Sequence, residues 1–353
     1  MNIKTIAIAL TLGCAMMAQA AADKVVGFFP YWSQYSQFYP KDIRYSLLTH
    51  IHYASLNPSS DGTVALADEN DAPNLKELAR LSAENGVKLV VSVGGMEMES
   101  TLQEIAASEE SRNAFASNLV SWMESNGASG IEIDWQNLAA ENTADYSALL
   151  NALKTAFNGK YILSAVVYPM VSADAYDVSV LNELDYVTVF MPDQMTEEES
   201  ALKPNQSLTS IEEALNVMTG KGLNKEKMIP VVYMYGKSFT GATGLGSSHS
   251  GIGSGNEGYL SYKELLGKFD SPDYKVTFDE STKSEYAVSA SEAIVFMGIP
   301  SVQALSQKVK SEGMAGVAVY DLSQDHHEPI VSLLVTIGLE LRPDIDYKPK
   351  KKK

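Results

Sequence analysis

Glu132, Asp134 and Gln136, spaced two residues apart, are the side chains best placed to do chemistry in this chain. They sit in the run Ser129-Gly130-Ile131-Glu132-Ile133-Asp134-Trp135-Gln136. Residues two apart on a strand share a face, so these three project one way while Ile131, Ile133 and Trp135 project the other. Carboxyls in such a row can hold or pass a proton. Turning carboxylates into a protein interior is costly unless they are hydrogen-bonded, and the alternative to a chemical role is a purely structural polar layer. Aromatic residues give a second signal. Trp32, Tyr53, Tyr168, Tyr235 and Tyr320, with Phe28 deeper, fall on or beside predicted strands. Aromatic faces stack on the C–H faces of sugar rings, although for Phe28 and Tyr53 the competing reading is a packed barrel side chain.

These residues need a scaffold that brings strand ends together. Short β-branched runs alternate with longer amphipathic stretches, the pattern of βα units around a parallel sheet. Eight strands are predicted, at 24–29, 47–56, 87–93, 130–136, 161–168, 185–191, 228–235 and 316–321. Helical patterns at 74–85, 109–124, 144–157, 210–220, 302–312 and 329–339 separate most of them. The count predicts an α/β fold, a (β/α)8 TIM barrel over 24–237 and 300–342. The interval 238–299 breaks the rhythm and is expected to be a small α+β insertion between strands 7 and 8. Loops of that kind lie at the C-terminal face, where barrel proteins keep their sites.

The segment 129–136 resembles the D-G-x-D-x-D-x-E signature of glycoside hydrolase family 18, the chitinases and related endoglycosidases. The resemblance runs through nearly the whole chain. Val26-Gly27-Phe28-Phe29 with Trp32 is similar to the family's first strand, and Leu48-Thr49-His50-Ile51-His52-Tyr53-Ala54 to its second. Ser92-Val93-Gly94-Gly95 matches S-x-G-G. Phe190-Met191-Pro192-Asp193 is similar to M-x-Y-D, and Tyr235-Gly236-Lys237-Ser238 to Y-G-R-S. Gly316–Asp325 resembles the eighth strand. The resemblance implies substrate-assisted retention. In that scheme a glutamate protonates the glycosidic oxygen and the sugar's own acetamido carbonyl attacks the anomeric carbon. The signature's last aspartate and a sixth-strand tyrosine hold the acetamido group, and a tryptophan floors the site.

Set on this chain, that machinery is eroded. Gln136 stands at the acid's position, and an amide has no proton to give, a loss of about 10²–10⁴-fold. Asp134 is kept. Glu132 and Ser129 replace two aspartates, Phe28 a tyrosine, Pro192 the acetamido-binding tyrosine and Tyr320 the floor tryptophan. The expected catalytic positions are therefore Gln136, Asp134, Glu132 and Asp193, and the expected ligand contacts are Trp32, Tyr168, Tyr235, Tyr320, Ser92 and Phe28. The expectation is a chitinase-like protein that binds an N-acetylglucosamine-containing glycan without hydrolysing it. One alternative is a working glycosidase with a rearranged acid, drawn from Glu132, Asp193 or Asp321. Another is a barrel with a vestigial cleft whose surface or insertion meets a protein partner.

Composition narrows the partners. A net charge of −17 repels nucleic acid and anionic membranes. Lys4, the apolar run 6–17 and Ala18-Gln19-Ala20 read as a signal peptide over 1–20, which predicts a secreted or periplasmic protein. That run is too short to span a bilayer, so no transmembrane segment is expected. Cys14 is the only cysteine and lies within the signal, which excludes disulfides and a cysteine nucleophile from the mature chain. His326-His327 and the remaining histidines lack metal-ligand spacing, and the Gly244–Gly255 stretch lacks a phosphate-binding lysine, so no metal and no cofactor are expected. The basic stretch at 343–353 reads as a solvated tail.

Overall fold

The computed structural model describes residues 22–345. The expected signal at 1–20, with Cys14, and positions 346–353 of the expected tail lie outside the described residues.

Eight parallel strands form a closed barrel: β1 (Lys24–Pro30), β2 (His50–Pro58), β3 (Lys88–Gly94), β4 (Gly130–Asp134), β5 (Ile162–Val167), β6 (Tyr186–Val189), β7 (Met228–Tyr233) and β8 (Gly316–Tyr320). Each pairs with its neighbours, and β1 pairs with both β2 and β8, which closes the ring. Helices Ala72–Glu84, Glu109–Asn126, Thr143–Phe157, Leu208–Gly220, Ile299–Glu312 and Leu333–Leu341 cover the outside. Their limits follow local signals. Ser108 caps the helix Glu109–Asn126 by accepting from the Ser111 amide, and Gly127 ends it in a left-handed conformation at φ 71°.

The link between β1 and β2, where the sequence shows no helical pattern, is not an α-helix. It carries three 3₁₀ turns, Tyr31–Ser36, Pro40–Asp42 and Tyr45–Leu47. Pro30 and Pro40 bracket the first part, and a proline has no amide to continue a helix. The turns instead deliver Tyr31 and Trp32 to the barrel mouth.

Strand alternation divides the apolar core in two. Outward residues such as Val25, Ile51, Val91, Ile131, Ile133 and Val187 pack beneath the helices. Inward residues Val26, Phe28, Val166, Tyr186, Phe190, Ile229 and Val231 form a second cluster inside the ring. Tyr53 belongs to the outer layer. It is fully buried and donates to Asp71 at 2.9 Å, so it does not face the barrel mouth, because β2 turns His50, His52 and Ala54 inward instead.

A five-stranded antiparallel sheet with the helix Tyr262–Phe269 is inserted between β7 and β8. Its strand order is Tyr259–Ser261, Tyr235–Thr240, Glu292–Phe296, Ser284–Val288, Lys275–Asp279. The chain leaves the barrel sooner than expected. Tyr235, read above as the end of strand seven, already pairs with Ser261 in the insertion sheet. No helix among the described residues is long and apolar enough to cross a membrane.

Candidate functional site

The C-terminal ends of the strands open into a cleft of about 540 Å³. Its walls include Phe28, Tyr31, Trp32, Ser92, Asp134, Gln136, Tyr168, Phe190, Tyr233, Tyr235 and Tyr320. All six expected ligand contacts are there. Phe28 meets Phe190 edge-on at 5.3 Å and tilts against Tyr320 at 5.5 Å, so it is part of the cleft floor. Tyr233 stacks on Tyr235 at 5.0 Å, and Tyr31 supports Trp32 edge-on at 5.0 Å.

Asp134 is the polar centre of the cleft. Tyr168 donates its hydroxyl to Oδ1 at 2.8 Å, and the Gln136 amide donates to Oδ2 at 3.3 Å. Burial pushes the Asp134 carboxyl up to about 7, against the pull of those two bonds, and the charges of Glu132 and Glu99 add to the rise. The close fit around it explains the S-x-G-G motif. A Cβ on Gly94, at φ 111°, would stand 2.3 Å from the Asp134 carbonyl oxygen, and the Gly95 amide donates to that same oxygen at 2.9 Å.

Glu132 occupies a different environment one pleat lower. It is fully buried and absent from the cleft wall. Thr188 donates to Oε1 at 2.6 Å, while Ser92 and Ser164 make longer contacts at 3.4 and 3.5 Å. His52 Nδ1 lies 3.1 Å from Oε2, a close contact without hydrogen-bond alignment, and its Nε2 lies 2.8 Å from the Tyr186 hydroxyl. The extra methylene of glutamate carries its carboxyl into this shell, and none of its hydrogen bonds reaches Asp134.

Asp193, the fourth expected catalytic position, is not on the cleft wall. Its Oδ1 accepts from Asn205 at 2.7 Å and Tyr235 at 2.8 Å, and its Oδ2 accepts from Tyr259 and, at 3.4 Å, Lys237. Burial would raise this carboxyl, but the hydroxyl and amide donors and the Lys237 charge outweigh it and hold it below its ordinary range. Asp193 is thus a carboxylate that ties barrel to insertion. Asp321 is almost fully buried and caps the turn Leu322–Gln324 through Ser323 and Gln324.

Several cleft residues escaped the sequence reading: Tyr31, Met96, Glu97, Phe190 and Tyr233 on the wall, and His52 and Thr188 beneath it. The alternate-residue rule applied to β6 and β7 would have found Thr188, Phe190 and Tyr233. The loop residues Met96 and Glu97 had no such signal.

The profile of the "Glycosyl hydrolases family 18" matches residues 24–325. The chain belongs to glycoside hydrolase family 18. Among curated family members, Chitinase 1 of Aphanocladium album is 25% identical over 344 residues, covering 84% of this chain and 80% of that protein. Among solved structures, catalytic domain 2 of the Ostrinia furnacalis Group II chitinase superposes with a TM-score of 0.86 at 22% identity, covering 93% of this chain and 98% of that one. Human YKL-39, described as a pseudo-chitinase with retained chitooligosaccharide binding, superposes with a TM-score of 0.83 at 21% identity, covering 91% and 100%. At these identities the two structural matches establish the family barrel, and chemistry must be argued from the side chains.

Proposed function

We propose that this protein binds an N-acetylglucosamine-containing oligo- or polysaccharide in its cleft and does not hydrolyse it. The observation that carries the reading is Gln136. It lies on the cleft wall at the acid's position, and its amide is spent on Asp134. The carboxyls that could replace the acid are engaged elsewhere. Glu132 is sealed below the floor, Asp193 is ionised and fully hydrogen-bonded, and Asp321 is a cap. Binding needs less than catalysis. Asp134 can accept an acetamido N–H, and Trp32, Tyr235 and Tyr320 offer faces for sugar rings. The pseudo-chitinase YKL-39 provides a precedent on the same barrel for binding without cleavage.

One observation favours a second reading, residual hydrolysis. Asp134 holds a proton on a fraction of molecules at neutral pH and faces the cleft. Calorimetric titration with chitotetraose, followed by analysis of the mixture for products, separates the two. Saturable binding with intact sugar supports the first reading, and products abolished by Asp134→Asn support the second. Gln136→Glu is expected to raise hydrolysis by less than the roughly 10²-fold minimum of a working acid, because Pro192 supplies no acetamido-binding hydroxyl. A larger gain would reveal an otherwise intact active site. The export reading is likewise proposed from the sequence. N-terminal sequencing of the exported protein should begin at Ala21.

A further inference from the structure

A second hollow lies outside the barrel, between the helix Glu109–Asn126 and the hairpin turn that follows β2. It is a groove of about 290 Å³ lined by Thr63, Asn118, Ser121, Ser125 and Asn126 around Trp122. One wall is docked tightly on the helix. A Cβ on Gly62, at φ 81°, would stand 3.0 Å from the Phe115 amide nitrogen, and Asn118 Nδ2 donates to the Gly62 carbonyl at 2.9 Å. Trp122 is half-buried against the core, and its indole N–H has no acceptor among the described residues.

A competing account makes Trp122 a core anchor and the serines an ordinary solvated face. Two observations separate the groove from such a face. First, no residue lining it is charged. The outer face of the helix Ala72–Glu84, by contrast, carries Arg80 between Glu77 and Glu84, and on the groove helix Glu124 is drawn to Lys160 at 2.8 Å and lines no part of the groove. Serine is also a weaker helix former than the alanine, lysine or glutamate that suits a merely solvated face. Second, the groove's polar groups have already committed protons to the protein. Ser121 and Ser125 donate to the carbonyls of Ser117 and Ser121 at 3.1 and 2.8 Å. Thr63 donates to Asp61 at 2.6 Å, and Asn126 Nδ2 to the Trp122 carbonyl at 2.9 Å. What they chiefly leave free are oxygen lone pairs, beside an indole. Such a surface fits a neutral ligand with many hydroxyls of its own and offers little to a phosphate or a carboxylate.

We propose that this groove is a second glycan site, which holds a further stretch of the same polymer that enters the cleft. The identity of that polymer rests on the glycan-binding reading above. One β-hairpin joins the two places. Asn57 and Ala67, at its base, line the cleft, while Thr63 and Val64, at its tip, line the groove. Ala67 follows Val64 by three residues, a span of about 10 Å at roughly 3.3 Å per residue. A glycan long enough to leave the cleft over the hairpin meets Trp122 next, and the second contact forms at the high effective concentration of a tethered partner. A short oligomer held in the cleft gains nothing from it.

The test sets adsorption to insoluble chitin beside calorimetric titration with chitotetraose, for the unaltered protein, Trp122→Ala and Ser125→Lys. Ser125 is exposed and its hydroxyl bonds only within its own helix, so the second variant fills the groove and removes no packing. Both variants should weaken adsorption by roughly three- to ten-fold and leave the affinity for chitotetraose unchanged. Adsorption that is unaltered in both overturns the groove site and leaves cleft binding standing. A loss in Trp122→Ala that Ser125→Lys does not share, or that weakens chitotetraose equally, is a packing defect and also overturns it. If the unaltered protein binds neither sugar, the glycan-binding reading fails and this inference with it. Adsorption that depends on Trp122 and Ser125 without any binding of chitotetraose removes the cleft from that reading and keeps the groove.

Discussion

Asp134 and Glu132 point into the same barrel from the same strand, two residues apart, and live in opposite surroundings. Asp134 faces an open aromatic cleft with two donors, Tyr168 and Gln136. Glu132, one pleat deeper, is enclosed by Thr188, Ser92, Ser164 and His52 with no access to solvent. The difference teaches that depth along a barrel strand decides what a carboxyl can do. A group at the rim remains free to meet a ligand. The same group a few ångströms lower becomes the centre of a hydrogen-bonded plug.

The largest expected effect breaks the lower region. Glu132→Ala should cost roughly 3–5 kcal/mol of unfolding free energy in denaturant titration, because it opens a cavity and leaves buried hydroxyls without their acceptor. If it unfolds no more easily than the unaltered protein, Glu132 is not the centre of a plug. Asp134→Asn should do the reverse. It should leave the protein at least as stable at pH 7, because it removes a carboxyl whose charge burial disfavours, but weaken chitotetraose binding by about 10–100-fold, the worth of a hydrogen bond to a charged group. Equal losses of stability in the two variants would erase the distinction between rim and plug.

The pH profile sharpens the same contrast. Asp134 accepts an acetamido N–H best as a carboxylate, so affinity should rise with pH through about 7 and fall by at most about ten-fold per unit below it. The stability of the ligand-free protein should move the other way. Between the ordinary carboxyl value of 3.8 and about 7 the folded state binds more protons at Asp134 than the unfolded chain does. That contribution is fully present below the lower value and is lost as pH rises through the upper one. Asp134→Asn should flatten both trends. The smallest effect belongs at the edge of the cleft. Trp32, 39% exposed, should lose about three- to ten-fold in sugar affinity as Trp32→Ala, with little change in stability.

The barrel and its main site residues were legible because they depend on local patterns. Alternation put Glu132, Asp134 and Gln136 on one face, and β-branched runs marked all eight strands. Asp193 was misread because a carboxylate next to a strand end looks the same whether it faces a cleft or the four donors from Asn205, Tyr235, Lys237 and Tyr259. Tyr53, open between cleft and packed core on the sequence alone, is settled as core by the register of β2. The insertion's first strand was read as the tail of strand seven because Tyr233 and Tyr235 continue one apolar run, and only the pairing of Tyr235 with Ser261 separates them.

The sequence by itself determined the family barrel and the shared strand face of Glu132, Asp134 and Gln136, since periodicity and residue identity are properties of neighbours along the chain. The tertiary structure decided which of the candidate carboxyls is reachable. It set Asp134 at the rim, Glu132 in the plug, Asp193 in the junction and Glu97 at the mouth. Exposure, hydrogen-bond partners and local field are fixed by residues distant along the chain, 66 positions away between Asp193 and Tyr259, and no local pattern encodes them.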